Sequence, residues 1–349
     1  MSLTSAPGRP LGGVRGPFAG FERLKVLDFT KLLPGPYATQ MLADLGCRVT
    51  KVELPHFPDD ARRLPPFVEG VGSLYWMVNR GKTELPLDFR KPAGLTEARR
   101  LVSEADVLIE GFRPGLMDRV GLGCAEALGL NPRLVYCSLV GYPTAGPWRR
   151  KAGHDLNFLA VSGYLGLTPP GERPAMPHTQ VADLAGAMAA VTAVLAALLE
   201  RQTTGKGRRV EVSMAETAHA LLPVALGESA AGDADPGVGG KWWDGTHPFY
   251  RLYRAADGAW LAVAALEKPF ALSLLEALGL GSLVPLADDP LGNAGTLAAA
   301  LESAFSGADA ASWTERLKGK DVCVTRVNRL PEAGPFIEWL RTPEDRAAP

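Results

Sequence analysis

The 349-residue sequence predicts an α/β protein: a large domain on an open parallel sheet, then a smaller α+β domain. Three observations predict it. Short apolar runs alternate with helix-patterned segments up to residue 213. A stretch rich in Gly, Ala, Asp and Pro, 227–240, then interrupts the pattern as a linker would. Beyond it the texture changes to a hairpin followed by helices.

Residues 1–20 read as a flexible, Gly/Pro-rich lead-in. The large domain is expected over 21–226. Leu24–Phe29 is a short apolar strand, Pro34-Gly35-Pro36 breaks the chain, and Tyr37–Leu45 has helical spacing closed by Gly46. Arg48–Glu53 is the next strand, so this is a β-α-β unit with parallel strands. Thr83–Phe89, Asp106–Glu110 and Arg133–Leu139 continue as strands, with helices at Ala93–Ala105 and Pro114–Val120. Asp183–Arg201 is a long helix, and Arg209–Ser213 follows it as a strand. The alternation is Rossmann-like. The small domain is expected over 241–319. Phe249–Ala255 and Ala259–Ala265 flank an Asp-Gly turn, and helical patterns cover Pro269–Leu278, Thr296–Phe305 and Ala311–Leu317. Asp321–Arg326 is strand-like, and 320–349 is expected to return to the large domain.

Lys and Arg total 37 against 38 Asp and Glu, so the net charge is −1 and nothing draws the chain to nucleic acid or an anionic membrane. Hydrophobic residues make up 46%, which excludes disorder as the main state. Cys47, Cys124, Cys137 and Cys323 form no CxxC pair, as expected of reduced thiols in the cytoplasm. The lead-in lacks the apolar stretch of a signal peptide. The most apolar helical run, Leu184–Leu199, falls short of the ~20 residues of a membrane span and reads as a core helix.

The first β-α-β turn is Leu33-Pro34-Gly35-Pro36 rather than GxGxxG, which argues against a dinucleotide cofactor. There is no P-loop, GxSxG elbow or HExxH, and no metal site is expected. The informative stretch is Gly153-His154-Asp155-Leu156-Asn157-Phe158, followed some thirty residues later by Val181-Ala182-Asp183-Leu184-Ala185-Gly186. Asp155 and Asp183 are each placed like N-caps of the helices that follow, and His154 like a loop residue. Alternatively His154 and Asp183 pair an imidazole with a carboxylate, two groups able to exchange protons near neutral pH.

At these residues the chain resembles family III CoA-transferases, the CaiB/BaiF group, and within it the α-methylacyl-CoA racemases. The likeness runs from about residue 22 to about 330. Its landmarks include Leu33-Pro34-Gly35-Pro36, Asn79-Arg80-Gly81-Lys82, Leu87-Asp88-Phe89, Glu110-Gly111-Phe112-Arg113-Pro114-Gly115 and Thr204-Gly205-Lys206-Gly207. The resemblance implies an interlocked homodimer and an acyl-CoA substrate, with no cofactor beyond the CoA it carries.

In the family's transferases, the aspartate matching Asp183 is a nucleophile. In its racemases, that aspartate and the histidine of a GHD[IL]N[YF] motif serve opposite faces of the substrate's α-carbon. Gly153–Phe158 fits that motif at every position, so the resemblance implies a racemase with His154 and Asp183 as the acid/base pair. Glu267 stands where the racemases have a glutamate near the active-site histidine; a glutamate favoured by a helix dipole is the other reading. Resemblance also places Arg80, Lys82, Leu87, Asp88, Glu110, Phe112 and Arg119 around the CoA cleft, with Gly153, Asp155, Asn157 and Phe158 around the reacting group. Amide groups at the starts of the helices after His154 and Asp183 are candidate donors to an enolate oxygen. One position departs: racemases often carry arginine after the acid ending the second strand, where this chain has Leu54, with Lys51, Arg62 or Arg63 as substitutes. Family members also usually continue past the position of Pro349.

Overall fold

A computed structural model describes residues 17–168 and 172–339, which form two compact units, 17–168 with 172–223 and 224–339. In the first unit the strands are β1 (Lys25–Phe29), β2 (Arg48–Glu53), the hairpin β3 (Phe67–Val68) and β4 (Val71–Gly72), β5 (Thr83–Pro86), β6 (Val107–Glu110), β7 (Val135–Val140) and β8 (Arg209–Ser213). Its helices are α1 (Pro34–Asp44), α2 (Ser73–Asn79), α3 (Pro92–Glu104), α4 (Leu116–Arg119), α5 (Cys124–Leu130), α6 (Asp155–Ser162), α7 (Val181–Thr204) and α8 (Met214–Ala220).

Six strands form one parallel sheet in the order β5-β2-β1-β6-β7-β8. The order reverses between β1 and β6, the position where open α/β sheets bind ligands beyond the carboxyl ends of their strands. Side chains alternate across the sheet. Val26, Val107, Ile109, Val135, Cys137 and Leu139 pack with α1 and α7 on one face. Leu27, Phe29, Val52, Leu108 and Tyr136 pack with α3 and α5 on the other.

The Pro34-Gly35-Pro36 segment is the first turn of α1 rather than a break. The first-turn N–H groups have no intrahelical acceptor, so proline costs nothing there. Gly35 admits a close approach: a Cβ on it would lie 2.2 Å from Thr30 Cβ.

Helix α7 runs for 24 residues, longer than the apolar run suggests, and by length and composition alone it is long enough to cross a membrane. Its packing accounts for that character. Ala182, Gly186, Ala187, Ala190, Val191, Val194, Ala197 and Leu198 are buried in the core. Its close approach to α8 depends on Gly186, whose Cβ would meet Met214 Cγ at 2.8 Å.

The second unit contains α9 (Pro223–Ala230), whose first residue closes the first unit, then β9 (Tyr250–Arg254), β10 (Trp260–Ala264), α10 (Lys268–Ala277), α11 (Ala294–Phe305), α12 (Ala310–Leu317), β11 (Val324–Arg326) and α13 (Leu330–Trp339). Two boundaries differ from expectation. The presumed linker 227–240 begins inside α9. The segment assigned as a return to the large domain instead places β11 antiparallel to β10 in the small sheet, order β11-β10-β9. Val322 and Val324 pack on the small unit's core, and that burial draws the strand there.

Candidate active site

The GHDLNF motif forms the start of α6, and most of its residues hold that start in place. Phe158 is buried and meets Tyr142 edge-on at 5.2 Å between ring centroids. Gly153 makes room for this pair, since a Cβ there would lie 2.9 Å from the Phe158 ring and 3.0 Å from Tyr142 Oη. His154 is the N-cap residue of α6; its N–H donates to Asn157 Oδ1 at 3.1 Å. The imidazole is thereby carried on the first turn of a short, well-anchored helix.

Asp155 does not cap its own helix, as its position had suggested. Its Oδ1 accepts hydrogen bonds from the amides of Ala182 at 2.7 Å and Asp183 at 3.1 Å, the second and third residues of α7. The residue next to His154 thus satisfies two of the free N–H groups at the start of the helix that carries Asp183. This cross-helix cap brings the two sequence motifs together. It also removes those amides from the candidate oxyanion donors. Asp183 itself lies inside the first turn rather than at the cap, which is Gln180. Burial raises the Asp183 pKa from 3.8 to about 7, and the nearby Asp155 carboxylate adds to the effect.

The cations expected around CoA divide. Lys82 is fully buried. Its ammonium donates to Asp28 Oδ2 at 3.0 Å, Pro36 O at 2.9 Å, Thr39 Oγ1 at 2.7 Å and Asn79 Oδ1 at 2.9 Å. Burial lowers its pKa to about 8 against the pull of Asp28. Burial alone would raise the Asp28 carboxyl, but Lys51, Lys82 and the Thr30 and Thr39 hydroxyls hold it well below the usual range. Lys82 therefore fastens the start of α1 to β1 and is not a cleft cation. Arg80 is also buried, with Nη2 donating to both Asp44 oxygens at 2.8 and 3.0 Å and Nη1 to Met77 O. Of the substitutes for the missing arginine, Lys51 is fully buried against Asp59 and Thr30 O. Arg62 pairs with Glu53 and Glu84 and stacks over Tyr75.

Leu87 and Phe112 are half-buried against the core on the β2–β1–β6 face, and Asp88 accepts from Arg90 at 3.0 Å. Arg119 is exposed at the end of α4. Glu110 ends β6 nearly buried and accepts from the Phe112 amide at 2.9 Å. Burial raises its pKa against the hydrogen bonds from Phe112 and Ser138. Glu267, in the second unit, is the N-cap residue of α10; its backbone carbonyl accepts from Phe270 and Ala271, and its carboxylate makes no capping bond. Among the described residues no three His, Cys, Asp or Glu side chains gather as a metal site would require.

The sequence profile of CoA-transferase family III matches residues 21–336. The chain belongs to CoA-transferase family III. The family includes both isomerases and transferases among this chain's relatives. Human α-methylacyl-CoA racemase is 34% identical over 313 residues, covering 89% of this chain and 78% of that protein. Acetyl-CoA:oxalate CoA-transferase of Acetobacter aceti is 35% identical over 344 residues, covering 94% and 84%. A CAIB/BAIF family protein from Brucella suis has a similar structure, with TM-score 0.77, 30% identity and coverage of 90% and 86%. The family thus makes the chain an enzyme of acyl-CoA chemistry.

Proposed function

We propose that this family III enzyme is an acyl-CoA racemase or epimerase acting on 2-methylacyl-CoA thioesters by 1,1-proton transfer. One observation carries the reading. The Asp183 carboxyl, at about pH 7, stands on a helix whose first amides are capped by the neighbour of His154. A carboxyl raised to about 7 can serve as acid or base near neutral pH, and an imidazole is a side chain suited to be its proton-exchanging partner.

The ionised member of the pair removes the α-proton, breaking the C–H bond and leaving its electron pair in an enolate on the thioester oxygen. The protonated member returns a proton to the opposite face. The next turnover, in the reverse sense, exchanges their roles. The enolate oxygen needs donors. The amides of Ala182 and Asp183 are occupied by Asp155, whereas no described residue accepts from those of Asp155 and Leu156, which makes the start of α6 the favoured source. No cofactor takes part, since CoA is itself part of the substrate. The active form is a homodimer in which the large domain of one chain and the small domain of the other share each site, with Glu267 supporting His154.

The test uses enantiopure 2-methylacyl-CoA. His154→Ala should lose about 10²–10⁴-fold in racemisation yet still exchange the proton of one enantiomer, and Asp183→Asn should retain exchange of the other. The rival is CoA transfer through an Asp183 acyl adduct. Full racemisation by His154→Ala, with an adduct on Asp183 trapped by hydroxylamine, would replace this reading with that one.

A further inference from the structure

Two residues beyond the carboxyl end of β7, Tyr142 has a hydroxyl that the reaction as written leaves without a role. Tyr142 is 6% exposed, and its ring belongs to the core shared by α6 and α7. Phe158 meets the ring edge-on from α6, and Trp148 meets it edge-on at 5.3 Å between centroids from the loop that follows. The backbone just before it is fixed as well. Gly141 O accepts from Ala215 N at 3.1 Å and from Ser213 Oγ at 3.3 Å. Gly141 also admits the Phe158 ring, since a Cβ there would lie 2.6 Å from it. A ring packed on both sides and tethered at its backbone keeps its hydroxyl in one place.

That place is the entry to α6. A Cβ on Gly153, the residue before His154, would lie 3.0 Å from Tyr142 Oη. Buried tyrosine hydroxyls ordinarily find an acceptor. Tyr75 donates to Glu84 Oε1 at 2.7 Å, Tyr136 to Leu122 O at 3.4 Å and Tyr253 to Pro248 O at 2.6 Å. Tyr142 Oη has no hydrogen-bond partner among the described residues, and it is not one of the polar atoms cut off from solvent. A rigidly held donor beside His154 thus faces outward with nothing to bind. Its surroundings are apolar: Pro143, Pro147, Trp148 and Val161 line a recess with the Tyr142 ring. A hydrogen bond gains strength in such a setting.

We infer that Tyr142 is a further catalytic residue, whose O–H donates to the thioester carbonyl oxygen of the bound acyl-CoA. The inference rests on the acyl-thioester chemistry proposed at His154 and Asp183. Charge develops on that oxygen in the enolate of proton transfer, and equally in the tetrahedral adduct of CoA transfer, so the donor serves either reaction. It acts at the same end of α6 as the amides of Asp155 and Leu156. The hydroxyl keeps its proton throughout and takes no part in the exchange at the α-carbon.

Tyr142→Phe removes the hydroxyl and keeps the ring. With 2-methylacyl-CoA in deuterated buffer containing an acceptor acid, kcat for whichever reaction the wild type runs should fall about 10²–10³-fold, the loss typical of one oxyanion donor. KM should change less than about threefold, because the missing contact matters most in the transition state. The melting temperature should not fall, since the hydroxyl bonds nothing in the free protein. A readout without turnover is the infrared carbonyl stretch of bound acyl-CoA carrying a heavy-carbon label at the thioester. It should shift to lower frequency on binding the wild type, and the variant should lose part of that shift. Wild-type kcat in Tyr142→Phe, an equal carbonyl frequency in the two proteins, or a lower kcat matched by a lower melting temperature each overturns the inference. CoA transfer by the wild type without α-exchange instead overturns the racemase reading, and the comparison of variant with wild type then decides Tyr142 on the transfer reaction.

Discussion

Replacing Asp183 by Asn should stabilise the protein at pH 8, and the size of the gain follows from the site. An aspartate that ionises at 3.8 in the unfolded chain and at about 7 in the folded one disfavours the fold once it is charged. Between those values the folded state keeps a proton that the unfolded chain has lost, so stability falls as pH rises through the window and levels off above pH 7. The full difference amounts to about 4 kcal/mol at 1.36 kcal/mol per pH unit. The dipole at the start of α7 and partial solvent access reduce this to about 2 kcal/mol. Asparagine has the same size and no charge, so it should recover that amount, roughly 4–8 °C in melting temperature for a unit this large. At pH 3 the gain should shrink to under about 0.5 kcal/mol, because the carboxyl is then protonated in both the folded and the unfolded chain. Differential scanning calorimetry at both pH values measures it. Destabilisation at pH 8, or an equal shift at pH 3 and pH 8, would refute the reasoning.

Other consequences follow from the same structure. Asp155→Asn keeps an oxygen for the Ala182 and Asp183 amides but removes a charge, so the Asp183 pKa should fall and the acidic limb of the kcat/KM profile should move to lower pH; an unmoved limb would separate Asp155 from Asp183. Lys82→Met strands buried Asp28 and should cost about 3–5 kcal/mol in denaturant unfolding, much of it recovered by adding Asp28→Asn. Gly35→Ala forces a Cβ into Thr30 and should cost about 1–3 kcal/mol by the same assay. Light scattering should give about twice the 37.1 kDa chain mass at micromolar concentration, and a value near 37.1 kDa would contradict the shared site.

The parallel sheet was legible because strands buried on both faces read as continuous apolar runs, as in Leu24–Phe29 and Arg133–Leu139. The hairpin β9–β10 was legible from its Asp-Gly turn. Short helices such as α2 and α5 were not, since seven residues give too few turns for a period. Charge was the least legible property. Lys82 and Arg80 sit in a basic motif that looks like a phosphate contact, yet the structure turns both inward onto Asp28 and Asp44. Nothing local reveals a partner 54 residues away. For the same reason the Asp155 cap went unseen: its acceptor role spans 27 and 28 residues of chain to another helix. The three-residue strand β11 carries no topological signal of its own, and only the burial of its flanks draws it to the small sheet.

The central claim is that the chemistry is proton transfer at the α-carbon. The most direct measurement incubates the purified protein with enantiopure 2-methylacyl-CoA in deuterated buffer containing a labelled acceptor acid, without added metal, nicotinamide or flavin. Mass spectrometry follows the α-carbon and the thioester together. The account predicts deuterium at the α-carbon with loss of stereochemical purity and no CoA on the acceptor. Transfer of CoA to the acceptor with an undeuterated α-carbon would contradict it.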